Sequence, residues 1–202
     1  MTDDTRAIDE NTRCLILAAQ HGIVEELKLM LPLANPLHNN SQALRWAAKY
    51  GHTECVHLLI PVSDPLCMNS QALRNAAEGG FVECVAALIP VSDPTERYSE
   101  PLRWAADEGH TACVELLIPV SCPKDLDSEA LQWAARGGKR ACVELLYTVS
   151  DVPAAIAKLK VHAPNDYDHW GFLEQRWEAE QQHKRLSAQI GAASGVSTAR
   201  KL

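Results

Sequence analysis

Aromatic residues make up only 5% of the 202-residue chain, while the apolar share is 47%, much of it alanine and leucine. That balance disfavours β-rich architectures, whose strands draw on aromatic side chains, and favours closely packed helices. No apolar run approaches the roughly 20 residues of a membrane span. The N-terminal MTDDTRAIDE is acidic and has no apolar signal core behind it, so the expectation is a soluble, cytoplasmic protein without a membrane partner. Basic residues are outnumbered 19 to 26, a net charge of −7, which argues against a nucleic-acid partner bound through a broad phosphate-contacting surface. Seven cysteines are an odd count, and without a secretory signal they point to reduced thiols rather than a disulfide framework. The sequence has no CxxC or HExxH, no GxSxG, no GxxxxGK(S/T) and no GxGxxG after a strand. The expectation is therefore a protein that is not an enzyme and uses neither cofactor nor metal.

What is present is a period. Cys55, Cys84, Cys113 and Cys142 recur every 29 residues, within four similar windows that start at Ser41, Ser70, Ser99 and Ser128. A more divergent copy precedes them from about Thr12, with Leu15, Ala18, Ala19, Gly22 and Pro36 in register. Each unit reads as two short helices. The serines are suited to capping the first helix. Leu44, Ala47 and Ala48 then fall at i, i+3 and i+4, one helical face whose small alanines allow close approach. Gly51, Gly80, Gly109 and Gly138 end that helix. The second helix, with Cys55, Val56, Leu58, Leu59 and Ile60, is too apolar for a surface helix and should be sandwiched in the stack. Pro61, Pro90 and Pro119 limit it. Such a unit cannot bury its own apolar face, but five stacked units build a continuous core. The fold expected is an all-α solenoid: an acidic N-terminal segment over 1–10, five repeats over 11–153, and a C-terminal cap, polar helix and tail over 154–202.

The frame A-L-R-W-A-A-x-x-G-H-T-E-C-V-x-L-L-I resembles that of the ankyrin repeat, T-P-L-H-x-A-A-x-x-G-H-x-x-x-V-x-x-L-L, over about 140 of the 202 residues. The usual ankyrin period is 33. The residues lost here lie between one unit's second helix and the next unit's first, where ankyrin units carry a projecting hairpin finger. The T-P-L-H tetrapeptide is also replaced by Q-A-L-R or E-P-L-R. The resemblance therefore implies shortened fingers, a non-enzymatic protein-binding module, and a contact surface made by first helices on the concave side. It also implies that His52 and His110 hydrogen-bond backbone between helices.

Columns that vary inside the frame mark candidate contact residues. After the paired alanines come Gln20-His21, Lys49-Tyr50, Glu78-Gly79, Asp107-Glu108 and Arg136-Gly137, and one residue before them come Leu17, Trp46, Asn75, Trp104 and Trp133. The candidate partner-binding set is Trp46, Lys49, Tyr50, Glu78, Trp104, Asp107, Glu108, Trp133 and Arg136. Tryptophan is over-represented at binding hot spots, but three on one helix face also suit the seam between repeats. The acidic pair equally suits a solvated helix end. The cysteine column is expected in the core, since stacked repeats about 10 Å apart cannot bring its sulfurs to one ion.

After the repeats, Ala154–Val161 suggests a capping helix, HAPNDYDHW an irregular loop, Gly171–Ile190 a polar helix, and the last dozen residues a flexible end. Trp170 and Trp177 are read either as part of the cap or as a docking element. Residues 1–150 carry twelve basic and twenty acidic side chains, net −8, against seven and six, net +1, in 151–202. The first reading is a monomeric module that holds a protein partner. The alternative is an acidic inhibitor or decoy that occupies a basic site on an enzyme or nucleic-acid-binding protein. A site in the tail would have to draw on His162, His169, His183, Asp166 and Asp168, which lack a recognisable catalytic spacing.

Overall fold

The computed structural model describes residues 8–198, with side chains through Ile190, and all regular structure among them is helical. Five pairs of short helices follow one another: α1 (Glu10–His21) and α2 (Val24–Met30), α3 (His38–Lys49) and α4 (Thr53–Leu59), α5 (Cys67–Glu78) and α6 (Val82–Leu88), α7 (Glu96–Glu108) and α8 (Thr111–Leu117), α9 (Asp125–Arg136) and α10 (Arg140–Tyr147). Two further helices follow among the described residues, α11 (Val152–His162) and α12 (Tyr167–Thr198). The acidic segment before Ile8 and the final residues 199–202 lie outside the described residues.

Along each first helix the i, i+3, i+4 triplets Leu44-Ala47-Ala48, Leu73-Ala76-Ala77 and Leu102-Ala105-Ala106 are fully buried. Alanine at this contact lets α1, α3, α5, α7, α9 and α11 lie side by side, so α11 takes the place of a sixth first helix. The second helices form an outer layer and touch one another less. Each of α4, α6 and α8 ends in a 3-10 turn that contains the proline of the I-P-V triplet, at Ile60–Val62, Ile89–Val91 and Ile118–Val120.

The serines do not cap their helices. Ser41, Ser70, Ser99 and Ser128 are buried, and each hydroxyl oxygen accepts the backbone N–H of a residue 23 positions later: Asp64 at 2.8 Å, Asp93 at 2.9 Å, Cys122 at 2.9 Å and Asp151 at 2.7 Å. Thr12 does the same for Asn35 at 2.9 Å, and its own hydroxyl donates to Asp9, the residue that does cap α1. The reason is local geometry. Asn39-Asn40-Ser41 and the equivalent triplets ending at Ser70, Ser99 and Ser128 form a left-handed turn, φ between 47° and 64°, which directs the hydroxyl across to the next connection instead of along its own helix. Left-handed non-glycine residues cost roughly 1–2 kcal/mol each. Asparagine and aspartate at several of these places lower that cost. Each triplet kinks the start of its own first helix, and side chains from the regular part of that same helix also hold the turn: Arg45 donates to the Asn39 and Asn40 carbonyls at 2.7 and 3.0 Å, Arg103 to that of Arg97 at 2.9 Å, and Gln132 to that of Asp127 at 2.9 Å. This compact turn stands where a hairpin finger would project.

Glycine is required where first helices end. At Gly80 φ is +72°, and a Cβ there would lie 2.5 Å from the His110 ring of the following pair. That ring donates from Nε2 to the Glu78 carbonyl at 2.9 Å, and His52 makes the same bond to Gln20 at 3.0 Å. The two histidines thus join consecutive pairs, as the resemblance implied.

The C-terminal region departs from expectation. α12 begins at Tyr167, not Gly171, and continues to Thr198, so most of the HAPNDYDHW stretch and much of the supposed flexible end are helical. Trp170 explains the early start: it is 1% exposed, its indole N–H donates to the Ala163 carbonyl at 2.8 Å, and Leu173 one turn later is fully buried. Burial of this size outweighs the weak local propensity. Trp170 is therefore core and not a free docking element, and Trp177 packs partly against the same core.

The hydroxyl ladder sets a test. Ser70→Ala leaves the partly buried Asp93 N–H without its partner and should cost about 1 kcal/mol or more. The hydroxyl of Ser92 is buried with no hydrogen-bond partner, so Ser92→Ala should be nearly neutral or stabilising. Urea denaturation midpoints of the two variants measure the difference, and equal losses would count against the ladder.

Candidate functional site

The columns after and before the paired alanines lie on the first helices, and all three tryptophans are half-buried. Each therefore packs at a seam on one side and meets solvent on the other. Nine candidate residues do not make one site. They form two clusters with Glu78 exposed between them.

At the first cluster, Trp46 stacks on Tyr50 with ring centroids 5.6 Å apart and planes 6° from parallel. Lys49, one turn after Trp46, places its Nζ 5.3 Å from the indole centroid, within the range at which a cation is attracted by an aromatic face. Tyr50 stays 43% exposed. Arg45, Trp46, Lys49, Gln71 and Asn75 line a hollow of about 210 Å³. Asn75 bridges to the preceding helix by donating to the Arg45 carbonyl at 3.2 Å.

At the second cluster, Trp104 and Trp133 meet edge to face, 5.7 Å apart at 73°. Together with Asp107, Arg136 and Gly137 they line a hollow of about 480 Å³. Burial pushes the Asp107 carboxyl above its ordinary pKa, the neighbouring Glu108 charge adds to this, and Lys139 and Arg136 oppose it. Arg136, on the wall of this hollow, is also tied to the tail: its Nε donates to the Asp166 carboxylate at 2.9 Å. Glu108 is exposed.

Arg45 and Gln71 were not among the sequence candidates, although the departure from T-P-L-H marked their neighbourhood. This column ties neighbouring helices together. Arg45 donates to Gln71 at 3.0 Å, Arg74 to Glu100 at 3.0 Å, and Arg103 pairs with Glu129. Burial raises the Glu100 pKa, but the hydrogen bond and charge of Arg74 outweigh it, so the carboxyl is held below its ordinary value. These pairs are mostly shielded from solvent and set the spacing of the helices that carry the clusters. Asp166, a candidate acid of the tail by sequence, accepts the Arg136 hydrogen bond.

The cysteine column is core: Cys55, Cys84, Cys113 and Cys142 are at most 1% exposed. Burial raises all four thiol pKa values, that of Cys113 to about 11. Among the described residues no three His, Cys, Asp or Glu side chains are grouped to hold a metal ion, and no helix is long and apolar enough to cross a membrane. At pH 8 iodoacetamide should label exposed Cys122 in the native chain and spare the four column thiols until the protein is denatured. Peptide mass mapping reads this out, and rapid native labelling of Cys84 or Cys113 would contradict the packed column.

Family models for the ankyrin repeat match residues 39–70, and for ankyrin repeats in three copies residues 73–155, together more than half of the chain. No curated protein sequence matches significantly. The first helix pair lies outside the matched ranges and shares the frame through Leu15, Ala18, Ala19 and Gly22.

Proposed function

Because the chain belongs to the ankyrin-repeat family, whose arrays are generally protein-protein interaction modules, we propose that it binds a protein partner on the inner face made by its first helices. In this reading residues 11–153 are the binding module and residues 154–202 close its C-terminal end. The module works as a cytoplasmic monomer in which the free cysteines stay reduced. One observation carries the proposal. The buried triplets, hydroxyls and glycines repeat almost unchanged, while among the residues that differ Trp46, Lys49, Asp107 and Arg136 line two hollows on one helix layer and Tyr50 stacks on Trp46. A constant scaffold with a varied face binds by shape and charge pattern, with a few aromatic anchors supplying much of the energy.

The acidic decoy reading rests on the net −8 of residues 1–150. The face itself mixes signs, Lys49 and Arg136 against Glu78, Asp107 and Glu108, which favours the general binding module. A decoy would lose affinity steeply with added salt, and a mixed-charge face much less.

The test compares capture from a native lysate by three forms of the chain. The triple variant Trp46→Ala, Tyr50→Ala, Trp104→Ala should lose a partner that the wild type retains, by about tenfold or more. The double variant His57→Ala, Glu115→Ala, on exposed positions of the second helices, should keep it. Helical circular dichroism should be the same for all three. Retention by the triple variant together with loss by the outer one would move the binding face to the other layer.

A further inference from the structure

The first cluster contains its own ligand. Lys49 stands three residues after Trp46 and lays its ammonium over that indole, with Nζ 5.3 Å from the ring centroid. Trp104 occupies the equivalent place one helix pair further than Asn75, and three residues after it stands Asp107. The frame thus puts a carboxylate where the other copy has the ammonium. Trp133 has the Arg103 guanidinium 5.3 Å from its ring centroid, whereas no such cation lies over Trp104 among the described residues. Asp107 is half-buried, and among the described residues it has neither an ion-pair nor a hydrogen-bond partner. The cation on the hollow's wall, Arg136, is held by Asp166 at 2.9 Å.

We propose that the hollow between Trp104, Asp107 and Trp133 receives a lysine side chain from the partner, its ammonium set against the Trp104 face and the Asp107 carboxylate. This rests on the reading of the first-helix layer as the binding face and names the chemistry recognised there. A hollow of about 480 Å³ has room for the four-carbon stem as well as the head group. The two perpendicular rings give that stem apolar surface to cover. A partly desolvated carboxylate gains from a cation more than a fully hydrated one does, because the local dielectric is lower. Glu108 adds negative potential beside the hollow. The Lys139 charge opposes this potential at Asp107, so the site discriminates by contact with Trp104 and Asp107 and not by bulk charge.

The experiment follows the indole N–H resonances of the full-length chain while two blocked pentapeptides are titrated, Ala-Ala-Lys-Ala-Ala and its Nε-acetyl-lysine counterpart. The lysine peptide should shift the Trp104 and Trp133 resonances saturably at millimolar concentration, and the acetylated one should not. Asp107→Asn should weaken the lysine response about fivefold. The same substitution should leave the melting temperature unchanged or higher, because a carboxylate that resists ionisation is removed. Equal shifts from both peptides, an unaltered response in Asp107→Asn, or no shift at millimolar peptide would each overturn the proposal. Partner capture that survives Asp107→Asn but is lost in the triple face variant would overturn the lysine site alone. Capture that survives the triple variant would overturn the face itself.

Discussion

Everything in the array depends on a buried hydroxyl that accepts a backbone N–H 23 residues further along the chain, made five times at 2.7–2.9 Å. A connection that turns back sharply between stacked helices exposes its own amides to an apolar interior, where an unmade hydrogen bond costs more than a made one contributes. The hydroxyl removes that cost at the point where the chain leaves one pair and starts the next. From Asp64 it is then only six residues to Ser70, the next hydroxyl, and those six hold the turn and its left-handed triplet. The short period follows from how few residues this closure needs. The steric expense of the triplet is tolerated because the hydroxyl bond, the arginine or glutamine clamp and the flanking helices all fix the same conformation.

Much of this architecture is legible in the sequence, because repetition converts weak local signals into strong ones. A single Leu-x-x-Ala-Ala is common; the same triplet before a glycine in five registers leaves little choice but stacked helices, and those triplets are the buried contacts observed. The serines show the limit of local reading. A serine just before an apolar helix has the signature of an N-cap, and only the backbone conformation of its own turn reveals that the hydroxyl points elsewhere. Its partner is 23 residues away, beyond the reach of spacing rules. The C-terminal helix is a similar case. Proline, asparagine and two aspartates in HAPNDYDHW indicate a loop by propensity, but Trp170 finds a buried place and the Ala163 carbonyl, and tertiary burial moves the helix start to Tyr167.

The candidate contact residues were legible only as columns. Sequence variation singles out the positions but gives no sign that Trp46, Lys49 and Tyr50 close on one another, or that Trp104 and Trp133 meet at right angles around a carboxylate. The choice between seam and surface for the tryptophans proves to be a false one. Half-burial lets each ring fill the gap beside the next helix and still present part of itself to solvent.

Arginine in place of the family's T-P-L-H histidine completes the separation of scaffold from face. Arg45, Arg74 and Arg103 each reach a side chain 26 residues later, and Arg45 and Arg103 also hold a left-handed turn, so both the height of each step and the shape of each connection are set from partly buried positions. The residues three places after the tryptophan column take no part in this network of turn clamps. Lysine at 49, aspartate at 107 and arginine at 136 can therefore differ while the stack beneath them stays the same. A substitution at one of these helix positions leaves the stack unaltered, since the interactions that keep neighbouring pairs in register lie elsewhere on the same helices.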